Sequence, residues 1–389
     1  MGDTRLIYFD NAATTLTKPR KVYEAVGNAM KMCANAGRGG YKPSLYAAKK
    51  VFECREEIAD LFHISSPERV VFTYNATHAL NLAIKSILHN GGHALVSSIE
   101  HNSVMRPLVA LKDKGVTYSV VNTPIFDIEK SIYEFRNAIR SEKPNCVILS
   151  HISNVFGYEM PIYLIDEICY ENDVPMILDA SQSAGYTMID ATKLKSVSFI
   201  CMPGHKGLLG PQGTGILLVC NDKKLYSTIQ GGTGSFSSEF AQPEFLPDIF
   251  ESGTLNVPGI CGLCEGVKYI KSIGFRKIQN KSSFLLECML NVLNDIEGVK
   301  VYTGPFHKHG VVSFSVGQMD SEEVCMRLAE YDICVRGGLH CSPLAHQTAG
   351  TTDMGLVRAS FSFFNIKSEI DIFALKLKKI LCKKSTLFY

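Results

Sequence analysis

The sequence predicts an α/β fold, with a large domain on a mainly parallel sheet followed by a smaller α+β domain. Three observations predict it. Short apolar runs, "RVVFT", "HALVSS", "NCVILSH", "VPMILDA", "VSFICM" and "GILLVC", alternate with segments of helical periodicity. The runs are apolar nearly throughout rather than at every second residue, as in strands covered on both faces. A Gly-, Ser- and Pro-rich stretch, "QGGTGSFSSEFAQPEFLPDIFESGTLNVPG", then breaks the rhythm, and helices predominate beyond it.

The elements follow in order. After an extended start, "PRKVYEAVGNAMKM" places Val22, Ala25, Val26, Ala29 and Met30 at helical spacing, with Pro19 near the helix start. A second amphipathic helix runs through "SLYAAKKVFECREEIADLF". The six apolar runs come next, and ligands of such sheets sit in loops at the carboxyl ends of the strands. Past the irregular stretch come a helix at "GICGLCEGVKYIKSIG", another helix, strands at "GVVSFSV" and "LVRASFSF", and helices at "SEEVCMRLAEY" and "SEIDIFALKLKKIL". The expected division is 15–258 for the large domain, with 1–14 and 259–389 forming the small one and the site between them.

Bulk properties narrow the function. At 389 residues the chain has room for roughly two domains, and 46% hydrophobic with 20% charged residues is an ordinary globular balance. A formal net charge of +2 gives no large electrostatic term for nucleic acid or an anionic membrane. No apolar run is long enough to span a bilayer, and the first residues lack a signal-peptide pattern. Thirteen cysteines without disulfide-framework spacing suit a reducing cytoplasm. The expected partner is a small molecule or another protein.

Several predicted strand ends carry a distinctive polar group. After "RVVFT", Thr77 in "YNATHALN" opens a helix, whose free N–H groups with a hydroxyl make an anion cup; a simple N-cap is the plainer reading. His101 follows "HALVSS" on the rim, where a lone histidine is more often structural. Asp179 ends "VPMILD", with Gln182 three residues on, and an acid ending a buried strand needs a cation or several donors. In "MPGHKGLLGPQGTG", His205 and Lys206 sit among glycines and prolines, where a poorly solvated lysine is suited to bond an aldehyde. Together these meet the needs of pyridoxal phosphate: an acid for the ring nitrogen, a lysine for the aldehyde and a cup for the phosphate.

"DNAATT", "NATHALN", "EHNS", "HISNVFG", "DASQSAG", "PGHKGLLGPQGTG", "FESGTLN", "RGGLHC" and "VRASFSFFN" resemble, in this order, the motifs of class V aminotransferase-fold enzymes. Most closely the chain resembles the cysteine desulfurase and selenocysteine lyase group, in its SufS-like branch. The resemblance implies the type I fold of pyridoxal phosphate-dependent transferases, with a seven-stranded-type sheet. It implies Lys206 as the cofactor lysine and His101 as the residue stacked on the ring. Asp179 would pair with the ring nitrogen, Gln182 with the phenolic oxygen, and Thr77, His205 and the main chain at Ala76 with the phosphate. Thr254 would reach the phosphate of a neighbouring subunit, making a homodimer. Asn154 and Arg358 would clamp the substrate carboxylate, and Arg38 would lie near the entrance. Where many relatives have a serine in the phosphate cup this chain has Pro203, which offers neither hydroxyl nor N–H.

The implied reaction removes sulfur from L-cysteine, leaving alanine and a persulfide on Cys341 for an acceptor protein, with His340 a candidate to favour the thiolate. L-selenocysteine is the alternative substrate; another reaction on the same fold, or a non-catalytic scaffold, are further readings. Cys261 and Cys264 form a CxxC pair inside a predicted helix and read as core residues. His340 and His346 flank Cys341 without a converging carboxylate or cysteine, so no metal is expected. No dinucleotide or P-loop motif is present.

Overall fold

The computed structural model describes residues 6–37, 39–125, 127–304 and 309–385. Its first part comprises β1 (Ile7–Tyr8), α1 (Arg20–Met32), α2 (Lys42–Phe62), β2 (Val70–Thr73), α3 (Ala76–Ile87), β3 (Gly92–Ser97), α4 (Asn102–Ala110) and β4 (Val116–Val121). There follow α5 (Ile128–Glu142), β5 (Cys146–Ser150), α6 (Ile162–Glu171), β6 (Met176–Asp179), β7 (Val197–Pro203) and β8 (Gly215–Val219). The last part holds α7 (Val257–Ile273), α8 (Phe275–Asn294), β9 (Val299–Val301), β10 (Val311–Val316), α9 (Ser321–Ala329), β11 (Ile333–Cys334), α10 (Pro343–Ala349), β12 (Val357–Ser360) and α11 (Lys367–Ser385).

Seven strands form the central sheet in the order β2-β8-β7-β6-β5-β3-β4. The pairs β3–β4, β3–β5, β5–β6 and β6–β7 are parallel, whereas β8 runs antiparallel to both β2 and β7. Alternate residues of each strand enter two separate cores. Val147, Leu149, Met176 and Leu178 face one with α2, α5, α6 and α7; Cys146, Ile148, Ile177 and Phe199 face the other with α3 and α4. This is why the strands read as continuous apolar runs: each face has its own helical cover. Burying one such aliphatic side chain contributes ~1.5–3 kcal/mol, so a polar substitution on either face is costly.

A second, antiparallel sheet of order β12-β10-β9 packs with α8, α9 and α11 around a third core that includes Phe9, Phe314 and Phe373. The beginning of the described chain joins this region, because β1 pairs in parallel with β11 and Asp10 bridges to Ser360. Residue β12 Arg358 thereby comes to lie beside the loops of the central sheet. No helix among the described residues is long and apolar enough to cross a membrane.

Candidate active site

The parallel strands β3, β5 and β6, together with β2 and β7, end at one rim, and their loops enclose a cavity of about 220 Å³. Ala76, Thr77, His101, Asn154, Asp179, Gln182, His205, Lys206 and Arg358 all line it. Residues expected from loops as far apart as 76 and 358 are therefore brought to one place.

At the end of β2, Asn75 caps α3 by accepting from the His78 amide at 2.9 Å. The N–H groups of Ala76 and Thr77 precede the first intrahelical acceptor and open toward the cavity, where the helix dipole favours an anion. Pro203 lies in the same wall and adds no donor. After β7 the chain turns sharply, and the turn is held from outside. The His205 carbonyl accepts from the Thr15 amide at 3.1 Å, and the Lys206 carbonyl accepts from Thr15 Oγ1 at 2.9 Å. Gly207 is required here, since a Cβ would collide with the Ala184 carbonyl oxygen. Thr14 Oγ1 lies 3.0 Å from His205 Nδ1, and burial holds that imidazole down at about 4, hence neutral.

Lys206 is half-buried, with its side chain in the cavity wall. Burial is the main cause that brings its amine down to about 8, opposed by Asp179 and reinforced by Arg358 and Arg336. Asp179 is pushed up by burial, against the Ser181 amide, which donates to Oδ1 at 2.9 Å, and against Lys206. A buried acid in this condition calls for a proton-bearing cation. Gln182 donates from Nε2 to the Ala12 carbonyl at 3.0 Å, which fixes the plane of its amide. His101 caps α4: its Nδ1 accepts from the Ser103 amide at 3.0 Å and lies 2.8 Å from Ser103 Oγ. Burial first, then Lys206 and three arginines, bring it down to about 4, so the ring faces the cavity as a neutral, flat surface.

Beneath His101 lies a group that the sequence did not single out. Glu100 is completely buried, taking Ser97 Oγ (2.5 Å) and the Ser150 amide (2.8 Å) on one oxygen and Ser150 Oγ (2.6 Å) on the other. It thus ties the ends of β3 and β5 together, beside Asp179 of β6. Burial pushes it up to about 7 from 4.5, so the native state holds a proton that the unfolded chain has already lost. Stability from this group is full below about 4.5 and is lost as pH rises through about 7. Glu100→Gln is expected to remove most of that fall, on the order of 2–3 kcal/mol, in urea titrations compared at about pH 5 and about pH 8.

Arg358 is 1% exposed and donates from Nη2 to Asp10 Oδ1 at 2.8 Å and from Nη1 to the Asn154 carbonyl at 3.0 Å. Its Nε is buried without a hydrogen-bond partner among the described residues, a donor suited to an incoming carboxylate. Arg336 pairs with Arg358 through both main-chain hydrogen bonds, at 3.1 and 2.7 Å, and lines the same cavity.

Cys341 is exposed and follows His340, which lines the cavity, as does Arg336 facing its sulfur. Both His340 and Cys341 are left-handed, with φ of 52° and 56°, which costs roughly 1–3 kcal/mol for each non-glycine residue. The loop is held in this state by three contacts. The Cys341 carbonyl accepts from the Asn102 amide at 2.8 Å, the His340 carbonyl from Asn154 Nδ2 at 2.8 Å, and Asn154 Oδ1 from Ser342 Oγ at 2.7 Å. The Asn154 amide is thus committed to the cysteine loop.

His340 does not serve the sulfur. Its ring is buried, with Nε2 3.1 Å from the Arg336 carbonyl and Nδ1 3.3 Å from His346 Nε2, and burial holds it well below its usual range and neutral. The cation facing the thiol is Arg336, whose Nη2 lies 4.0 Å from Sγ. Arg336 was part of the quoted "RGGLHC" motif, but an arginine five residues before a cysteine carries no periodic signal. Its role depends on the turn at Gly337 and Gly338. Two expected residues lie elsewhere. Thr254 is exposed and lines a separate depression with Arg55 and Glu251. Arg38 lies outside the described residues.

A half-buried lysine, a strand-end acid and a paired arginine around one cavity on this sheet define an enzyme of the type I fold. The chain belongs to the aminotransferase class-V family, whose model matches residues 7–373. A probable cysteine desulfurase of Methanothermobacter thermautotrophicus is 33% identical, covering 96% of this chain and 94% of that protein. One from Pyrococcus abyssi is 31% identical over 96% and 94%. The apo structure of a cysteine desulfurase from Thermococcus onnurineus superimposes with a TM-score of 0.89 at 30% identity, covering 96% and 94%. The Escherichia coli cysteine desulfurase CsdA, at 22% identity and a TM-score of 0.85 over 97% and 94%, shares the fold. The family implies pyridoxal phosphate, and the cavity fits it: α3 offers donors to a phosphate, Asp179 an acid to a ring nitrogen, and Lys206 an amine to an aldehyde.

Proposed function

We propose that the protein is a pyridoxal phosphate-dependent cysteine desulfurase that transfers sulfur from L-cysteine to Cys341. The observation that carries this reading is an exposed cysteine on a strained and tethered loop, whose neighbour His340 and facing Arg336 line the Lys206–Asp179–Arg358 cavity. Bound there, the cofactor supplies an electron sink that makes the substrate sulfur open to attack.

The chain's own groups divide the remaining work. Ala76, Thr77 and His205 hold the phosphate, Asp179 the ring nitrogen, Gln182 the phenolic oxygen, and His101 the ring face. Arg358 takes the substrate carboxylate and so points the sulfur at Cys341. Lys206, its amine brought down to about 8, would hold the cofactor aldehyde and move the proton at Cα. Cys341 attacks as thiolate, opposite the Arg336 guanidinium; the new S–S bond forms as the substrate C–S bond breaks, leaving alanine and a persulfide. Asn154 positions the cysteine loop rather than the carboxylate.

Arg358→Lys keeps the charge but loses the fork, and is expected to raise KM for cysteine by roughly 10–100-fold with a smaller change in kcat. Arg336→Ala is expected to slow alkylation of Cys341 by a small-molecule reagent several-fold and to lower kcat, leaving cofactor absorbance unchanged. Equal alkylation rates would remove Arg336 from its place beside the reacting sulfur.

The reading extends to assembly. Thr254 is exposed beside a surface with Tyr41, Leu45 and Phe52 on one side and Phe236, Phe240 and Phe245 on the other. A second copy covering this face as a homodimer would hide those side chains and bring Thr254 to the partner's phosphate cup. A protein acceptor then takes the persulfide. For the smaller domain expected over 1–14 and 259–389, the pairing of β1 with β11 and the shared core of β1, α8, α9 and α11 support a unit from α8 onward, whereas α7 packs into the core with α1 and α2. The deciding experiment incubates holoenzyme with L-cysteine and L-selenocysteine separately, measuring alanine and the mass of the Cys341 peptide. Alanine with one added sulfur supports the desulfurase; alanine only from selenocysteine, with Cys341 unmodified, supports the lyase instead.

A further inference from the structure

The CxxC pair that reads as core in the sequence has company in the fold. Cys261 and Cys264 lie one turn apart on α7; Cys33 is the C-cap of α1, and Cys54 lies on α2. All four meet where α7 crosses α1 and α2: Cys54, Cys261 and Cys264 are buried in one core, with Cys33 packed against it. They fall into two couples, the Cys33 thiol with that of Cys261 and the Cys54 thiol with that of Cys264. α7 approaches α1 closely at Gly262, where a Cβ would press on Val26 and Pro211.

The cluster is reachable. A cavity of about 300 Å³ between α1, α2 and α7 has Cys261 and Cys264 in its wall, together with Lys21, Lys50, Glu24 and Glu265. Lys268 stands one helical turn beyond Cys264, its ammonium hydrogen-bonded to Glu53 and 3.5 Å from Glu265. We propose that Cys264 and Cys54 form a peroxide-reactive dithiol, separate from Cys341, in which Cys264 is the attacking thiol and Cys54 the resolving one. The four thiols are not equivalent: Cys54 is fully buried and outside the cavity wall, burial pushes the thiols of Cys33 and Cys261 up, and hydrogen bonding with Cys54 brings that of the wall residue Cys264 down against its own burial. The thiolate is the nucleophile, so the wall thiol beside a lysine reacts first.

The electrons balance with a hydroperoxide as oxidant. Cys264 attacks one oxygen of hydrogen peroxide; the O–O bond breaks and the leaving hydroxide takes up a proton as water. Cys264 is then a sulfenic acid, oxidised by two electrons while the peroxide is reduced. Cys54 attacks that sulfur, the S–S bond forms, the S–OH bond breaks, and a second water leaves with the Cys54 proton. The product joins α2 to α7 across all seven strands of the central sheet, closing a long loop.

The test treats reduced holoenzyme with hydrogen peroxide, alkylates the remaining thiols under denaturing conditions and maps cross-links by tandem mass spectrometry. The expected result is a Cys54–Cys264 link, lighter by two hydrogens than the two free thiols and lost on reduction with dithiothreitol. Cys341→Ser should leave its yield unchanged, and Cys264→Ser should abolish it. Cys54→Ser, which keeps Cys264, should instead accumulate a dimedone-reactive sulfenic acid at Cys264. Full alkylation of Cys54 and Cys264 after a dose that oxidises Cys341 would overturn the proposal, as would a link from Cys264 to Cys33 or Cys261, or dimedone trapped only at Cys54.

Discussion

Cys341→Ala is expected to keep the cofactor's absorbance and to lose sulfur transfer, with cysteine turnover falling by about 10³-fold or more. The two effects separate because of where the residue lies. Cys341 stands exposed, while the residues assigned to the cofactor line the cavity and do not depend on its side chain. The loop should hold in the variant, since its tethers are main-chain carbonyls of His340 and Cys341 and the side chains of Asn154 and Ser342. Alanine also pays no more than cysteine for a φ of 56°. Turnover of selenocysteine should fall less, because selenium leaves more readily and relies less on an attacking thiolate. A variant that still desulfurates cysteine at the parental rate would show that Cys341 is not the acceptor.

Lys206→Ala should cost more. Turnover is expected to fall by ~10⁴–10⁶-fold, since the proposed function has the same amine both hold the cofactor and move the Cα proton. The variant should also release cofactor during gel filtration. The parent enzyme carries a related signature in pH. Its amine is brought from 10.5 to about 8, mainly by burial, so the neutral, nucleophilic form accumulates as pH rises through about 8. The rate at which apoprotein takes up pyridoxal phosphate, followed by absorbance, should rise through that range and level off above it. A rate still climbing toward 10.5 would mean that Lys206 is solvated like an ordinary surface lysine.

Much of this was legible before any coordinates. The apolar runs became β2 to β8 except for β4, whose "VTYSVV" is partly exposed along its length and so lacked the continuous signal of a doubly covered strand. The antiparallel setting of β8 could not be read from its run, because a strand buried on both faces looks the same in either direction. Lys206, Asp179, His101 and Thr77 stood out because each ends or closely follows a continuous apolar run bounded by turn residues.

What the sequence determined by itself was the fold class and the residue types gathered at the strand ends, since burial pattern and glycine-rich turns are local properties. Tertiary structure decided which groups face one another. It turned the His340 ring inward toward His346, set the Arg336 guanidinium 4.0 Å from the Cys341 sulfur, and spent the Asn154 amide on the loop. It placed Glu100 under His101 and gathered Cys33 and Cys54 onto the "CGLC" helix. These are contacts between residues up to about 200 positions apart in the chain. Hydrophobic period and propensity act over a few residues, whereas such contacts follow from how the packed layers seat their loops.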